Sequence, residues 1–381
     1  MDKCHRHGGR DVDGLAGEWC EYQRADPQMP RVLRGVLAPA AVRQSVASLD
    51  ALQAVRFHEE SQSGCNARVW DAVGLLSLHT KTVAGLSKLP AGSYSPGMAA
   101  CIRSVGIVGS GIMGAGLAEV AARAGYDVMV ASRSQASADG VLRVISAGLS
   151  KAVERGKLIA DERDSVMGRI TASQGFDSLG DCDLVIESVI EHLEVKIALF
   201  ADLDRAVKPS AVLATNTSTL PVIELALATT RPEQVCGIHF FNPATVMKLV
   251  EVVRPPTACA ETIETAIDFV SSCGKDAVEV QDHAGFIVNA LLFPYLNRAV
   301  RMLERGTAPI ESIDTAMKGG CNFPMGPFAL LDLVGLDTSV AILETIHAAF
   351  GNPDDAPAQT LRDKVAAGHL GRKTKQGFYS Y

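Results

Sequence analysis

Residues 105–116 read VGIVGSGIMGAG and lead from an apolar segment into a helix-forming one. The apolar residues of Ser104–Val108 favour a β-strand, and the amphipathic segment after them favours a helix that ends near Arg123. Gly125 supplies a helix stop signal, and a second apolar strand is predicted over Asp127–Ala131. The stretch therefore predicts a strand, a helix and a second strand in direct succession.

Three glycines in this stretch, Gly109, Gly111 and Gly114, have the spacing G-x-G-x-x-G. The first glycine permits a tight turn, the second lets a pyrophosphate approach the backbone, and the third lets the helix pack closely on the strand. The backbone N–H groups at the helix start, at Ile112 and Met113, would face the phosphates. A glycine-rich turn without a ligand is the alternative, and the flanking strands disfavour it. We predict a dinucleotide site.

The alternation of strands and helices continues beyond this site. CDLVIES and AVLATNTS favour strands, and a helix is predicted between them over Leu193–Val207. GIHFFNP and KLVEVVRP favour two further strands, joined by a turn that contains Asn242-Pro243, and the chain is mostly helical from Phe286 onward. Strands that alternate with helices imply parallel pairing. The predicted fold class is α/β: a Rossmann-type, doubly wound, mostly parallel sheet followed by an all-α C-terminal domain.

This pattern divides the chain into three predicted parts. Residues 1–99 form an N-terminal extension, 100–283 a dinucleotide-binding domain, and 284–381 a helical domain. Within the extension, Val42–Phe57 favours a short amphipathic helix. Met98 begins MAACIRSVGIVG, and we expect translation to start there, with the preceding stretch misassigned or poorly ordered. An intact mass of about 40.3 kDa for the native protein would contradict that expectation.

Composition limits the classes of partner. The formal charge of −7 over 381 residues disfavours a general nucleic-acid binder, whose binding surface would be basic. Hydrophobic segments fall short of the roughly 20 residues that span a bilayer. The nine cysteines include no C-x-x-C pair, so neither a zinc site nor a disulfide framework is indicated. We expect a soluble, cytoplasmic protein that binds neither nucleic acid nor membrane.

The end of the second predicted strand bears on cofactor choice. NAD-specific sites usually place an Asp or Glu there, but this chain has Ser132 and Arg133. A carboxylate would repel a 2′-phosphate, whereas serine and arginine can bind one. The cofactor is therefore NAD or NADP, with NADP favoured. The alternative is that Arg133 is a solvated surface residue and that NAD is accepted.

His239 and Glu251 are candidate catalytic residues because they lie on the two strands around the Asn242-Pro243 turn. A lone histidine on an apolar strand is more often structural, but a neighbouring carboxylate would fix its tautomer and stabilise the imidazolium. Histidine suits proton removal from an alcohol because its ordinary pKa is about 6.5. Ser218 and Asn289 can donate hydrogen bonds to the developing alkoxide. For Asn289, an inward amide satisfied by backbone is the alternative.

The order of motifs along the chain resembles that of the short-chain L-3-hydroxyacyl-CoA dehydrogenases, particularly bacterial 3-hydroxybutyryl-CoA dehydrogenases. The resemblance runs from about residue 102 to the end and rests on VGIVGSGIMGAG, VIESVIEHLEVK, TNTS, GIHFFNP, MKLVEVV, GFIVNALLFPYL, FPMGPF and GRKTKQGFYSY. Two features depart from the family: Ser132 stands where an acidic residue is usual, and residues 1–99 have no counterpart. The first departure puts NAD specificity in doubt.

The resemblance implies roles for individual residues. His239 corresponds to the catalytic base, Glu251 to its carboxylate partner, and Ser218 and Asn289 to residues that contact the substrate oxygen. The positions that would bind the nicotinamide side of the cofactor are Glu191, Lys196 and Asn216.

The resemblance also implies an acyl-CoA substrate and a homodimer joined through the helical domain. Two alternatives stay open from the sequence. One is a related dehydrogenase of a sugar acid or another free 3-hydroxy acid, and the other is a non-catalytic dinucleotide-binding protein.

Overall fold

Eight strands form one sheet in the computed structural model, which describes residues 102–381. The expected helix at Val42–Phe57 and the expected start at Met98 lie outside the described residues. The strands are β1 (Ser104–Val108), β2 (Asp127–Ser132), β3 (Ile170–Gln174), β4 (Leu184–Glu187), β5 (Val212–Thr215), β6 (Val235–Phe240), β7 (Leu249–Arg254) and β8 (Asp276–Gln281).

The strand order in the sheet is β3-β2-β1-β4-β5-β6-β7-β8. Every neighbouring pair is parallel except β6 and β7, which run antiparallel. Because β1 lies between β2 and β4, the order reverses direction there, and ligands of open α/β sheets bind beside such a reversal. The predicted mostly parallel sheet is confirmed.

Helices cover both faces of the sheet, as expected for a doubly wound fold. They are α1 (Ile112–Arg123), α2 (Gln135–Glu154), α3 (Ala160–Gly168), α4 (Leu193–Ala206), α5 (Val222–Leu227) and α6 (Ala260–Ser272). Apolar residues of α1, α2, α3 and α6 share one core cluster, and those of α4 and α5 share another. The central strands β4 and β5 are buried along their whole length, which explains the apolar residues that precede Glu187 and Thr215 at their ends.

The sequence did not predict two strands, β3 and β8, which form the two edges of the sheet. Both are largely solvent-accessible along their length, unlike the central strands. Edge strands such as these have no strong hydrophobic pattern of their own, and pairing with a neighbour defines them. Their positions could therefore be read only from the assembled sheet.

The chain beyond β8 is helical, as predicted. It comprises α7 (Val288–Glu304), α8 (Ile310–Cys321), α9 (Pro327–Val334), α10 (Leu336–Phe350) and α11 (Gln359–Ala366), which share a core of their own. Buried Asp332 accepts hydrogen bonds from the backbone of Phe378 and Tyr379, both at 2.8 Å, and so attaches the C-terminal segment to α9. In the described part of the chain, no helix is long and apolar enough to cross a membrane. The division at 283/284 stays a prediction.

The antiparallel pair β6–β7 brings the two candidate catalytic residues together. In its register His239 lies directly opposite Glu251, and the connection between the strands runs over residues 241–248. His239 is the second-last residue of β6, and β6 is parallel to β1, β4 and β5. Since parallel strands end at the same edge of a sheet, His239 lies at the edge where the glycine turn begins.

Candidate functional site

The glycine turn has the geometry that its sequence predicts. Gly109 follows β1 with a φ of +124°, and a Cβ there would overlap the carbonyl oxygen of Ser188. A Cβ on Gly114 would overlap the carbonyl oxygen of Gly109, so only glycine permits this contact between α1 and the turn. A Cβ on Gly111 would meet nothing within 4 Å. The backbone of Gly111 is therefore open to a ligand from outside.

The start of α1 offers backbone donors to that ligand. Gly111 is the N-cap residue, no side chain caps the helix, and its first turn has no acidic residue. The first intrahelical bond runs from Ala115 to Gly111, so the N–H groups of Ile112, Met113 and Gly114 have no acceptor within the described residues. Free N–H groups and the positive end of the helix dipole favour an anion. A pyrophosphate fits this turn.

Ser132 and Arg133 lie at the carboxyl end of β2, the neighbour of β1. Ser132 is buried, with 6% of its surface exposed, and its Oγ has no hydrogen-bond partner among the described residues. Arg133 is exposed, and within residues 102–381 its guanidinium makes no ion pair. A buried hydroxyl without a partner is rare in proteins and fits a site for a ribose hydroxyl group.

His239 and Glu251 form a buried pair. Nδ1 of His239 lies 2.8 Å from Oε2 of Glu251, and the two residues are 3% and 0% exposed. Because a carboxylate can only accept, Nδ1 donates, which leaves Nε2 as the free acceptor of the ring. Nε2 has no hydrogen-bond partner in the part of the chain that the structure describes. The imidazole is therefore oriented as a proton acceptor.

The other oxygen of Glu251 is held by the helical domain. Oε1 accepts hydrogen bonds from the backbone N–H groups of Ile287, at 3.0 Å, and Val288, at 2.9 Å. These two residues are the N-cap and first residue of α7, where the helix dipole stabilises negative charge. Both oxygens of the carboxylate are thus hydrogen-bonded, one to His239 and the other to the start of α7.

The TNTS loop, which follows β5, carries Asn216 and Ser218, and Asn289 of α7 contacts it. The Asn289 side chain donates to the carbonyl oxygen of Ser218 at 3.2 Å, whereas the Ser218 hydroxyl has no partner among residues 102–381. Asn216 accepts from the backbone N–H of Phe240 at 2.8 Å, which joins this loop to the residue after His239. The hydroxyl of Ser218 is therefore free to donate to a substrate, and Asn289 fixes the loop that carries it.

Glu191 and Lys196 belong to a network that supports the same loop. Lys196 is only 1% exposed, and its Nζ lies 2.6 Å from Oε1 of Glu187 and 3.4 Å from Oε2 of Glu191. Glu191 in turn accepts hydrogen bonds from the Thr217 hydroxyl, at 2.5 Å, and the Ser218 backbone, at 2.8 Å. Direct contact of Glu191 or Lys196 with the cofactor stays a prediction.

Sequence reasoning missed Glu187, which is fully buried at the end of β4. Besides Lys196 it accepts from the backbone of Val189 at 2.6 Å and from the Thr215 hydroxyl at 2.7 Å. A lone acidic residue at the end of the apolar strand LVIE was the available signal. Sequence reasoning also missed Phe286, because its contact with His239 depends on tertiary structure. The centroids of the two rings lie 5.6 Å apart.

Comparison with known proteins assigns the chain to a family. The model of the 3-hydroxyacyl-CoA dehydrogenase NAD binding domain matches residues 104–283, and that of the C-terminal domain of the same enzymes matches residues 285–381. The 3-hydroxybutyryl-CoA dehydrogenase of Mycobacterium tuberculosis is 44% identical over 286 residues, which cover 74% of this chain and 100% of the relative. The chain belongs to the 3-hydroxyacyl-CoA dehydrogenase family.

Solved structures agree with this family. FadB2 from M. tuberculosis has a TM-score of 0.72 at 44% identity, and (S)-3-hydroxybutyryl-CoA dehydrogenase PaaH1 from Ralstonia eutropha has the same TM-score at 38% identity. Each match covers 74% of this chain and 99% of the other. The protein is a nicotinamide-dinucleotide-dependent oxidoreductase of this family that acts on a CH–OH group. The sugar-acid and non-catalytic alternatives are not favoured.

Proposed function

We propose that the protein interconverts (3S)-3-hydroxybutyryl-CoA and acetoacetyl-CoA, with His239 as the general base and acid and Glu251 as its orienting partner. The observation that carries this proposal is the buried 2.8 Å hydrogen bond between the two side chains at the edge of the sheet where the glycine turn begins. Relatives named as 3-hydroxybutyryl-CoA dehydrogenases support the four-carbon substrate.

In the oxidative direction, Nε2 of His239 accepts the proton of the substrate 3-hydroxyl. Glu251, held through its other oxygen by the amides of Ile287 and Val288, keeps Nδ1 protonated and stabilises the imidazolium that forms. In the reductive direction the same imidazolium returns the proton to the 3-oxygen. A nicotinamide, when bound, takes or supplies the hydride at the substrate C3.

The 3-oxygen develops negative charge as its proton leaves, and preorganised donors stabilise that charge. The Ser218 hydroxyl is the free donor in the TNTS loop, and one N–H of the Asn289 amide remains after its bond to the Ser218 carbonyl. We assign both to the substrate oxygen. The dinucleotide would be held by the open backbone of Gly111, by the free N–H groups at the start of α1 and by the side chains at the end of β2.

The experiment that tests the proposal is a spectrophotometric assay of acetoacetyl-CoA reduction by NADH and NADPH, measured side by side. We expect turnover of the thioester and none of free acetoacetate at the same concentration. Activity on free 3-hydroxy acids alone would favour the sugar-acid type of dehydrogenase. Binding of NADH without turnover of any hydroxyacyl thioester would favour a non-catalytic role.

We further propose that Ser132 and Arg133 make the site receptive to the 2′-phosphate of NADP. The lack of a carboxylate at Ser132, its unpartnered hydroxyl and the exposed guanidinium of Arg133 support this preference. Replacement of Arg133 by Asp is expected to shift the ratio of kcat/KM for NADPH over NADH toward NADH by about tenfold or more, because a carboxylate repels the phosphate and accepts from a ribose hydroxyl. Steady-state kinetics with both cofactors measures the ratio. An unchanged ratio would mean that Arg133 does not select between them.

We also propose that the protein is a homodimer joined through its helical domain. Large apolar side chains are exposed there, among them Leu291 at 71%, Phe323 at 43% and Leu333 at 49%. Sedimentation equilibrium is expected to give twice the chain mass that mass spectrometry gives for the same preparation. Leu291→Lys is expected to weaken the dimer, because a charge buried in an apolar interface is costly. A monomer at micromolar concentration contradicts the proposal.

A further inference from the structure

Phe286 adopts a backbone conformation that its side chain disfavours. Its φ is +50°, in the left-handed region, where a bulky residue is an outlier. It directly follows Gly285, with a φ of +78°, and directly precedes the N-cap of α7. Two successive left-handed residues therefore turn the chain from the end of the sheet into the first helix of the helical domain.

This turn aims backbone donors at the catalytic pair. The next two N–H groups along the chain, those of Ile287 and Val288, are the ones that bind Oε1 of Glu251 at 3.0 and 2.9 Å. An extended or right-handed conformation at Phe286 would rotate both N–H groups away from that oxygen, since they follow it directly. The hydrogen bonds of Glu251 therefore depend on the dihedral angles of Phe286.

The side chain of Phe286 holds the turn in place. Only 6% of the residue is exposed, and its ring packs in the core cluster on the α4–α5 side of the sheet. The centroid of this ring lies 5.6 Å from the centroid of the His239 ring. The ring of Phe241 packs against the same imidazole, with a centroid distance of 4.5 Å. Burial of the ring offsets the cost of the left-handed backbone, which explains how a non-glycine residue persists there.

We propose that Phe286 is a positioning residue for the reaction, because its left-handed backbone presents the two amides of α7 that orient the Glu251 carboxylate toward His239. The proposal rests on the proposed function of the His239–Glu251 pair. The junction between the sheet and the helical domain is then part of the catalytic geometry.

The test compares Phe286→Leu with Phe286→Ile. The two side chains are isomers of equal hydrophobic content, but β-branched isoleucine resists a positive φ far more strongly than leucine. We expect kcat for acetoacetyl-CoA reduction to be about tenfold lower in the Ile variant than in the Leu variant, as for a misaligned catalytic group. The Kd for NADH, measured by fluorescence, is expected to agree within about twofold between them, because the glycine turn is unchanged. Equal kcat values would overturn the proposal.

Repeating the comparison in the Glu251→Gln background separates positioning from general damage. If Phe286 acts through Glu251, the ratio of kcat between the Leu and Ile variants is expected to fall to below about two there. A ratio that persists would show that Phe286 acts elsewhere and would overturn the proposal. Failure of the proposed function is distinguishable, because wild-type enzyme would then not reduce acetoacetyl-CoA at all.

A second matched pair covers the case in which the Ile variant does not fold. Phe286→Gly and Phe286→Ala both lack the ring, but only glycine adopts a positive φ without strain. The Gly variant is expected to have a kcat about threefold above that of the Ala variant, although alanine is the larger and more apolar side chain. Equal values, or the reverse order, would overturn the proposal.

Discussion

Replacement of His239 by alanine is expected to lower kcat for acetoacetyl-CoA reduction by roughly a thousandfold, within the 10²–10⁴ range of general acid–base catalysis. Without the imidazole, neither removal nor return of the proton at the 3-oxygen has a positioned group. Cofactor affinity is expected to stay within about threefold of wild type, since the glycine turn does not involve His239.

Stopped-flow and steady-state kinetics with saturating acetoacetyl-CoA provide the measurement, and fluorescence titration provides the Kd for NADH. His347→Ala is the matched control, because His347 lies on α10 and, within residues 102–381, its ring makes one hydrogen bond, to the carbonyl oxygen of Asn352. That variant is expected to keep wild-type kcat. A rate for His239→Ala within tenfold of wild type would refute its role as the base.

Removal of Lys196 alone is expected to lower the free energy of unfolding by about 3–5 kcal/mol, the usual cost of breaking a buried ion pair. In Lys196→Met the carboxylate of Glu187, fully buried at the end of β4, loses its cation. The remaining donors, from Val189 and Thr215, are neutral and cannot balance the charge. Glu191 loses a partner as well, so the loop that carries Ser218 is expected to loosen.

Urea denaturation of Lys196→Met, of the double variant Glu187→Gln/Lys196→Met and of the control Arg362→Met measures this effect. Glu187→Gln/Lys196→Met is expected to recover at least about half of the loss, because a neutral amide still accepts from the two donors without a buried charge. Arg362→Met removes one half of an exposed pair with Glu344 and is expected to cost under about 1 kcal/mol. If Lys196→Met costs no more than Arg362→Met, the Glu187–Lys196 pair does not support the site.

The local elements of the site could be predicted from the sequence because each has a local cause. The strand that ends at Val108, the glycine turn and α1 follow from hydrophobic periodicity and glycine spacing. The hairpin of β6 and β7 was also predicted, and its register confirms that His239 lies opposite Glu251. Strand and helix ends differ from the predicted ones by one to three residues, as with Ser132 at the end of β2 and with AVLATNTS, where β5 ends at Thr215.

The supporting interactions could not be predicted, because they join residues far apart in sequence. Glu251 meets Ile287 across 36 positions, and Thr215 meets Glu187 across 28. The edge strands β3 and β8 were missed for the same reason, since a neighbouring strand defines each one. No periodicity in the sequence encodes such pairings.

By itself, the sequence determined the fold class, the dinucleotide turn and the histidine–carboxylate pair, because glycine spacing and alternation of apolar residues act within a few positions of the chain. Only the tertiary structure decided how that pair is held. The second oxygen of Glu251 is satisfied by the first amides of α7, and these reach it through the left-handed turn at Phe286. Burial makes such contacts necessary, since a carboxylate removed from water must find donors wherever the packed chain provides them.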